Sequence, residues 1–318
     1  MIHFLRLIRP VNLLIIAVTM YSIGAYLDFV YADFNDGFML IQSFNFFLLV
    51  ISTVFIAAAG NIINDYFDVR ADRINRPEGT IIMKHIKRRW AIVYHWILNF
   101  IAFGIAIHLG LVLDTFWYVF VHLLSINFLW FYSMQLKRTL VIGNVVIALL
   151  TALVPVLVGI YYQDYFSAII LEKAYPFHFS NYKFFPIYTG FGLGLFAFIL
   201  NWTREIIKDM EDVKGDLVLK ARTIPIIYGL PKSRSIVIVF VLITMLLTIP
   251  IIWFCEKGYI DGMALLPLIL SALSSIFTLA VLLQPITDKN LKIANLGIKF
   301  TMIFGMLLPL FWFLQLIQ

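Results

Sequence analysis

Long apolar runs separated by short polar connections dominate this chain. Nine stretches, near residues 11–30, 41–63, 90–112, 115–133, 141–162, 186–206, 235–255, 262–284 and 294–315, are long and apolar enough to cross a bilayer, which takes about 20 helical residues. The runs are continuous. A barrel in lipid needs apolar and polar residues in alternation, so the pattern predicts helices, the other way to satisfy backbone groups in hydrocarbon. The expected fold class is all-α, a polytopic membrane bundle of about nine transmembrane helices in a single domain over 1–318. The first run is too long for a signal peptide and has no small-residue cleavage site after it, so it reads as the first span.

Composition agrees with the pattern. Hydrophobic residues make up 62% of the chain and charged residues 13%, against about 25% charged in soluble domains. The single cysteine, Cys255, excludes a disulfide framework and a cysteine-built metal site. Net charge is +6, and its placement says more than its size. All but three of the 24 lysines and arginines fall on one face of the nine-span arrangement; Lys173, Lys183 and Lys257 are the exceptions. That bias predicts a cytoplasmic amino terminus, cytoplasmic even-numbered connections and a carboxyl terminus outside. Nucleic acid is not an expected partner.

Two acidic clusters interrupt the apolar pattern, both on the predicted cytoplasmic side. The first, in Asn61 to Pro77, sets Asp65, Asp68 and Asp72 against the end of the second run, and carboxylates at a membrane segment are expensive to keep. Asn64, Asp68 and Asp72 are spaced i, i+4, i+8, which on a helix lines three oxygen-bearing side chains along one face. Asp65 points elsewhere and is expected to support the helix end. Such oxygens suit Mg²⁺, which takes one or two carboxylates plus substrate phosphates. The second cluster is Asp209, Asp212 and Asp216 after the sixth run, with Asp212 and Asp216 again at i, i+4. Gly215 weakens that helix and is a candidate for its end. The bland reading is a solvated helix terminus with Asp–Arg pairs to Arg70, Arg73 and Arg76. A cation transporter would place its acids nearer the midplane.

Other polar residues gather on the same side. His3, Arg6 and Arg9 lie on an interfacial turn before Pro10 and Asn12, as a topogenic anchor or a phosphate contact. Lys84, His85, Lys87, Arg88 and Arg89 form a basic strip suited to anionic lipid. Tyr132-Ser133, Leu136-Lys137-Arg138 and Gly143-Asn144 follow the fourth run, and Lys137 is placed to face a diphosphate. Arg204 and Lys208 precede the second cluster; Lys220 and Arg222 follow it, before Pro225 and Gly229 close the loop. Between spans three and four a tight turn is expected near Asp114. The segments with Asp28, Asp33 and Asp36, and from Tyr161 to Phe185, read as outer loops. No dinucleotide fingerprint, Walker loop, HExxH or serine elbow occurs.

With these motifs in place, the chain resembles the UbiA superfamily of intramembrane prenyltransferases over nearly its whole length. The specific matches are Asn64-Asp65-x-x-Asp68-x-x-x-Asp72 with Asn75-Arg76-Pro77, and Asp212-x-x-x-Asp216 with Ala221-Arg222-Thr223. Arg9-Pro10-x-Asn12 and the Tyr132 to Asn144 residues add weaker agreement. Gly60 to Asp68 and Arg204 to Asp209 look most like the geranylgeranylglycerol-phosphate geranylgeranyltransferase branch, which makes an ether-lipid precursor. One departure is Glu78 to Lys84, where relatives carry a second basic-proline segment; Lys84 and Lys87 are candidates to replace the lost basic residue.

The resemblance implies a polyprenyl diphosphate donor, a lipid-phosphate acceptor and contact with membrane lipids. It further implies two Mg²⁺ ions bridged by the diphosphate, one on Asn64, Asp68 and Asp72 and the other on Asp212 and Asp216. Arg9, Asn12, Tyr132, Lys137, Asn144, Arg204, Lys208 and Arg222 would be the substrate-binding residues. Prenylation of an aromatic acceptor in quinone synthesis is the alternative. CDP-alcohol phosphotransferases also use DxxxD acids, but Asp36-Gly37 and Asp261-Gly262 lack the Ala-Arg that those enzymes need.

Overall fold

A computed structural model describes residues 2–31, 39–75, 77–172, 185–256 and 265–316. Arg76, Lys257 and parts of the two expected outer loops, including Asp33, Asp36, Lys173 and His178, lie outside the described residues. The stretch from Tyr161 to Glu172, expected as the start of the second loop, is instead the last part of a helix that begins at Ile142. Ten α-helices follow in order: α1 (Ile2–Ile8), α2 (Pro10–Val30), α3 (Phe44–Asn75), α4 (Arg88–Val112), α5 (Trp117–Met134), α6 (Ile142–Glu172), α7 (Phe185–Val218), α8 (Ile224–Glu256), α9 (Leu265–Leu282) and α10 (Asp288–Leu316). All but α1 are long and apolar enough to span a membrane. Among the described residues extended pairing is limited to a bridge between Ile82 and Ile86. The fold is all-α and polytopic, as the run pattern predicts.

Helix length decides where the acids stand. Helix α3 has 32 residues, about 48 Å at about 1.5 Å per residue, whereas the hydrocarbon core is about 30 Å thick. The surplus is roughly a dozen residues, and those at its carboxyl end are the acid-bearing ones. Helix α7, with 34 residues, overshoots in the same way and carries the second cluster in its last turns. Both clusters therefore sit on helix that continues past the apolar run. The turn between α4 and α5 is tight, with Asp114 at φ 51°, as expected.

Contacts divide the chain into two compact units, one of residues 1–17, 44–147 and 208–233 and the other of 18–43, 148–207 and 234–318. In the first, α3 packs against α4 and α5. Gly60 lets Leu129 lie against α3, and two buried polar contacts tie the helices: Ser52 with His122, and His95 Nδ1 with the Ala59 carbonyl at 2.9 Å. Helix α1 and the 80s loop close over one end of α3 through Leu7, Ile62, Val69, Ile82 and Ala91. In the second unit α9 packs against α10. There α6 and α7 meet backbone to backbone: a Cβ on Gly159 would come within 2.6 Å of the Pro186 carbonyl, and one on Gly190 within 2.9 Å of the Pro155 carbonyl. Small residues at such crossings let helices associate in lipid by close packing. Asp28, expected in the first outer loop, is instead buried in α2, where it accepts from the Leu40 and Ile41 N–H groups at 2.9 Å each.

Candidate active site

The first acid motif is one continuous stretch of α3, so Asn64, Asp68 and Asp72 do share a helix face. Asp68 is buried. The Asn64 side-chain oxygen is buried with no hydrogen-bond partner, which is costly unless a ligand completes it. Asp65 points away from that face and pairs with Arg9 at 2.5 Å; α3 runs on past it to Asn75, so it braces the α1–α2 junction and not the helix end it was expected to support. Arg9 holds the break between α1 and α2 at φ 56°, a conformation disfavoured for non-glycine residues. Its guanidinium is held charged: burial opposes the charge, but the Asp65 carboxylate outweighs it and raises the pKa. The Asn61 amide donates to the Ile8 carbonyl at 2.9 Å and pins the same junction.

Lys137 is the cation on which the acids converge. Its ammonium pairs with the Asp68 carboxylate and also acts electrostatically on Asp65, Asp72 and Asp216. It projects from a 3₁₀ turn, Leu136–Arg138, that lies against the start of α6. Gly143 makes this possible, since a Cβ there would run into the Leu136 carbonyl and the Lys137 backbone. The Arg222 N–H donates to the Arg138 carbonyl at 2.8 Å and ties the turn to the segment after α7.

The second motif is likewise helical throughout. Gly215 does not end α7, which runs on to Val218; the expectation that it marked the end is corrected. The stop comes at Lys220, which adopts φ 54°. Its N–H donates to the Leu217 carbonyl at 3.0 Å and the Ala221 N–H to the Asp216 carbonyl at 3.0 Å, a Schellman closure. Asp216 thus has its backbone fixed by the helix end. The Gly215 N–H donates to Asn75 Oδ1 at 2.9 Å, and Asn75 Nδ2 donates to the Asp212 carbonyl at 3.2 Å. Asp209 is buried and accepts from Asn144 Nδ2 at 2.9 Å. Asp216 feels Lys137, Asp212, Asp68 and Lys208, so both acid motifs and two lysines share one electrostatic neighbourhood.

Some expected site residues sit elsewhere or act indirectly. Asn144 is engaged with Asp209, and Arg9 pairs with Asp65 while also acting electrostatically on Asp68 and Asp72. Arg204 belongs to the second unit, where it pairs with its neighbour Glu205 at 3.0 Å. Asn12 is exposed in the first turn of α2, Arg222 is exposed, and Tyr132 is buried near the end of α5. Pro225 and Gly229 do not simply close a loop: Pro225 is already in α8, and Gly229 kinks that helix at φ 82°. In the basic strip Lys84 and Lys87 are exposed, while Arg88 lies over the Tyr66 ring, 4.2 Å from its centroid. Sequence reasoning gave Asn75 no role of its own. The signal was Gly215, since an interior glycine often marks a close approach. Among the described residues no three carboxylate, imidazole or thiol groups are gathered closely enough to hold a metal ion by themselves.

Comparison with known proteins extends these observations. The UbiA prenyltransferase family matches residues 36–303. A digeranylgeranylglyceryl phosphate synthase of Pyrococcus horikoshii is 34% identical over 246 residues, 76% of this chain and 75% of that one. A solved structure described as giving insight into digeranylgeranylglyceryl phosphate synthase in membranes superposes with a TM-score of 0.64 at 23% identity, covering 98% of both chains. A UbiA homologue from Archaeoglobus fulgidus, bound to GPP and Mg²⁺, has a TM-score of 0.50 at 16% identity, covering 96% of this chain and 99% of that one. The last two likenesses speak to the fold. A family match of this length, with a relative sharing a third of its residues over three quarters of both chains, means that the chain belongs to the UbiA prenyltransferase family.

Proposed function

We propose that this protein transfers a geranylgeranyl group from its diphosphate to geranylgeranylglyceryl phosphate, forming the second ether of an ether-lipid precursor, at a cytoplasm-facing site in the cell membrane. The observation that carries the reading is the gathering of Asp68, Asp72 and Asp216 around Lys137, beside the unpartnered buried oxygen of Asn64. The curated relative is named for this product class, and the basic bias of one face supports the orientation. We read the two units as parts of one catalytic domain.

The donor set fits Mg²⁺: carboxylate and amide oxygens, one of them buried and unpartnered, with no thiol or imidazole. Asn64, Asp68 and Asp72 would hold one ion, and Asp212 and Asp216 a second. Bound magnesium supplies charge neutralisation of the diphosphate, the electrostatic term that makes it a better leaving group. Lys137, Lys208 and Arg222 donate to phosphate oxygens. Arg9 holds Asp65 and Asn144 holds Asp209, which fixes the helix segments on which the ligand residues ride. Asn12, Tyr132 and Arg204 would complete the substrate-binding set, Arg204 being paired with Glu205. An apolar surround for the prenyl tail excludes water that would compete for the allylic carbon. The allylic C–O bond to diphosphate breaks, a C–O bond to the acceptor oxygen forms, and the acceptor O–H bond breaks with its proton leaving to the released diphosphate.

Purified protein given labelled geranylgeranyl diphosphate and a panel of acceptors tests the reading. Transfer to geranylgeranylglyceryl phosphate, abolished by chelating Mg²⁺, is the expected result; transfer only to an aromatic acid would overturn the acceptor assignment. Asp68→Asn should lower turnover by at least about 100-fold while the protein stays folded in the membrane. Wild-type turnover in that variant would remove the metal assignment.

A further inference from the structure

Asn75 is the last residue of α3, three positions beyond Asp72. Its side-chain amide spans to the turn of α7 that lies between Asp212 and Asp216, accepting from the Gly215 N–H and donating to the Asp212 carbonyl. The fit is close. A Cβ added to Gly215 would overlap the amide nitrogen, the carbonyl carbon and the oxygen of Asn75. The amide therefore occupies the space that any other residue at 215 would fill. One side chain, on the helix of the first acid motif, is hydrogen-bonded to the backbone of the second.

We infer that Asn75 is a positioning residue that sets the spacing between the two acidic motifs, and that the Asn75–Gly215 contact is what lets both motifs grip one diphosphate. This deepens the reading above and rests on it. A diphosphate bridging two groups of ligands tolerates little error in their separation: a displacement of about 1 Å can cost roughly 100-fold in a positioned reaction. Only an amide of this length can serve. Aspartate keeps the acceptor for Gly215 but sets a carboxylate oxygen against the Asp212 carbonyl. Glutamine is one methylene too long for the gap over Gly215. Alanine leaves the two helices unlinked at this point.

Magnesium and inorganic pyrophosphate together make a probe that needs neither the tail nor the acceptor. On the detergent-purified full chain, Mg²⁺ with pyrophosphate should raise the melting temperature of the wild type. Asn75→Ala should bind the pair about tenfold more weakly, equivalent to about 1.4 kcal/mol, and raise the Mg²⁺ concentration for half-maximal turnover to a similar extent. Gly215→Ala should do the same, and the two changes together should be clearly less than additive. Gly190→Ala, which disturbs the close α6–α7 contact in the other unit, controls for destabilisation and should leave pyrophosphate affinity unchanged. If Asn75→Ala does not accumulate folded, Asn75→Asp, matched in size, takes its place with the same expectation. Unchanged affinity and unchanged Mg²⁺ dependence in Asn75→Ala or Asn75→Asp overturn the inference while leaving the proposed function standing. A wild type that fails to respond to Mg²⁺ and pyrophosphate removes the proposed function, and the inference with it.

Discussion

A lysine ammonium against a buried aspartate, with further carboxylates around both, is the charge arrangement that governs this site. Lys137 offsets the repulsion among Asp65, Asp68, Asp72 and Asp216. Removing one partner of a buried pair leaves the other charge uncompensated, whereas removing both can be nearly neutral. Lys137→Met should therefore lower the melting temperature of the ligand-free protein, and Lys137→Met with Asp68→Asn should regain most of that loss. Activity should not return in the double variant, because under the proposed function both groups also serve the diphosphate. Thermal melting beside a turnover assay separates the two effects. A double variant as unstable as Lys137→Met would show that the ion pair is not what Lys137 contributes to stability.

At the scale of elements, helix ends and helix crossings carry the specificity. Lys220 closes α7 in a left-handed conformation that a non-glycine residue adopts at a cost of about 1 kcal/mol. Lys220→Gly should relieve it, raising the melting temperature by a few degrees for about 1 kcal/mol without altering the donor KM. In the second unit, Gly190→Leu would drive a side chain into the Pro155 carbonyl. Overpacking of that kind costs about 1–3 kcal/mol, measurable as a lower melting temperature in detergent, whereas Gly104→Leu, which faces open space, should have little effect. The spans were legible because about 20 consecutive apolar residues admit few other structures. The ends of α3 and α7 were not. Their last turns are polar, so hydropathy stops while the backbone hydrogen bonds continue to Asn75 and Val218. The ligand-bearing faces could be read from i, i+4 spacing. The Asn75–Gly215 and Asn144–Asp209 contacts could not, because each joins residues more than sixty positions apart; Gly215 signals a close approach without naming its partner.

For the whole molecule, the acid motifs ride on rigid continuations of spanning helices, and a site so mounted is held more tightly than one on loops. The overshoot of α3 and α7 has a further consequence. How far the carboxylates stand from the lipid headgroups depends on how much helix the membrane swallows, and a thicker bilayer swallows more. Reconstituted in phosphatidylcholines of graded acyl length, the protein should work best at one intermediate chain length. Activity should fall on either side, as the charged turns are drawn toward the acyl region or lifted clear of a lipid-borne substrate. An ether-lipid enzyme built this way would answer to the dimensions of the very membrane whose lipids it helps to make.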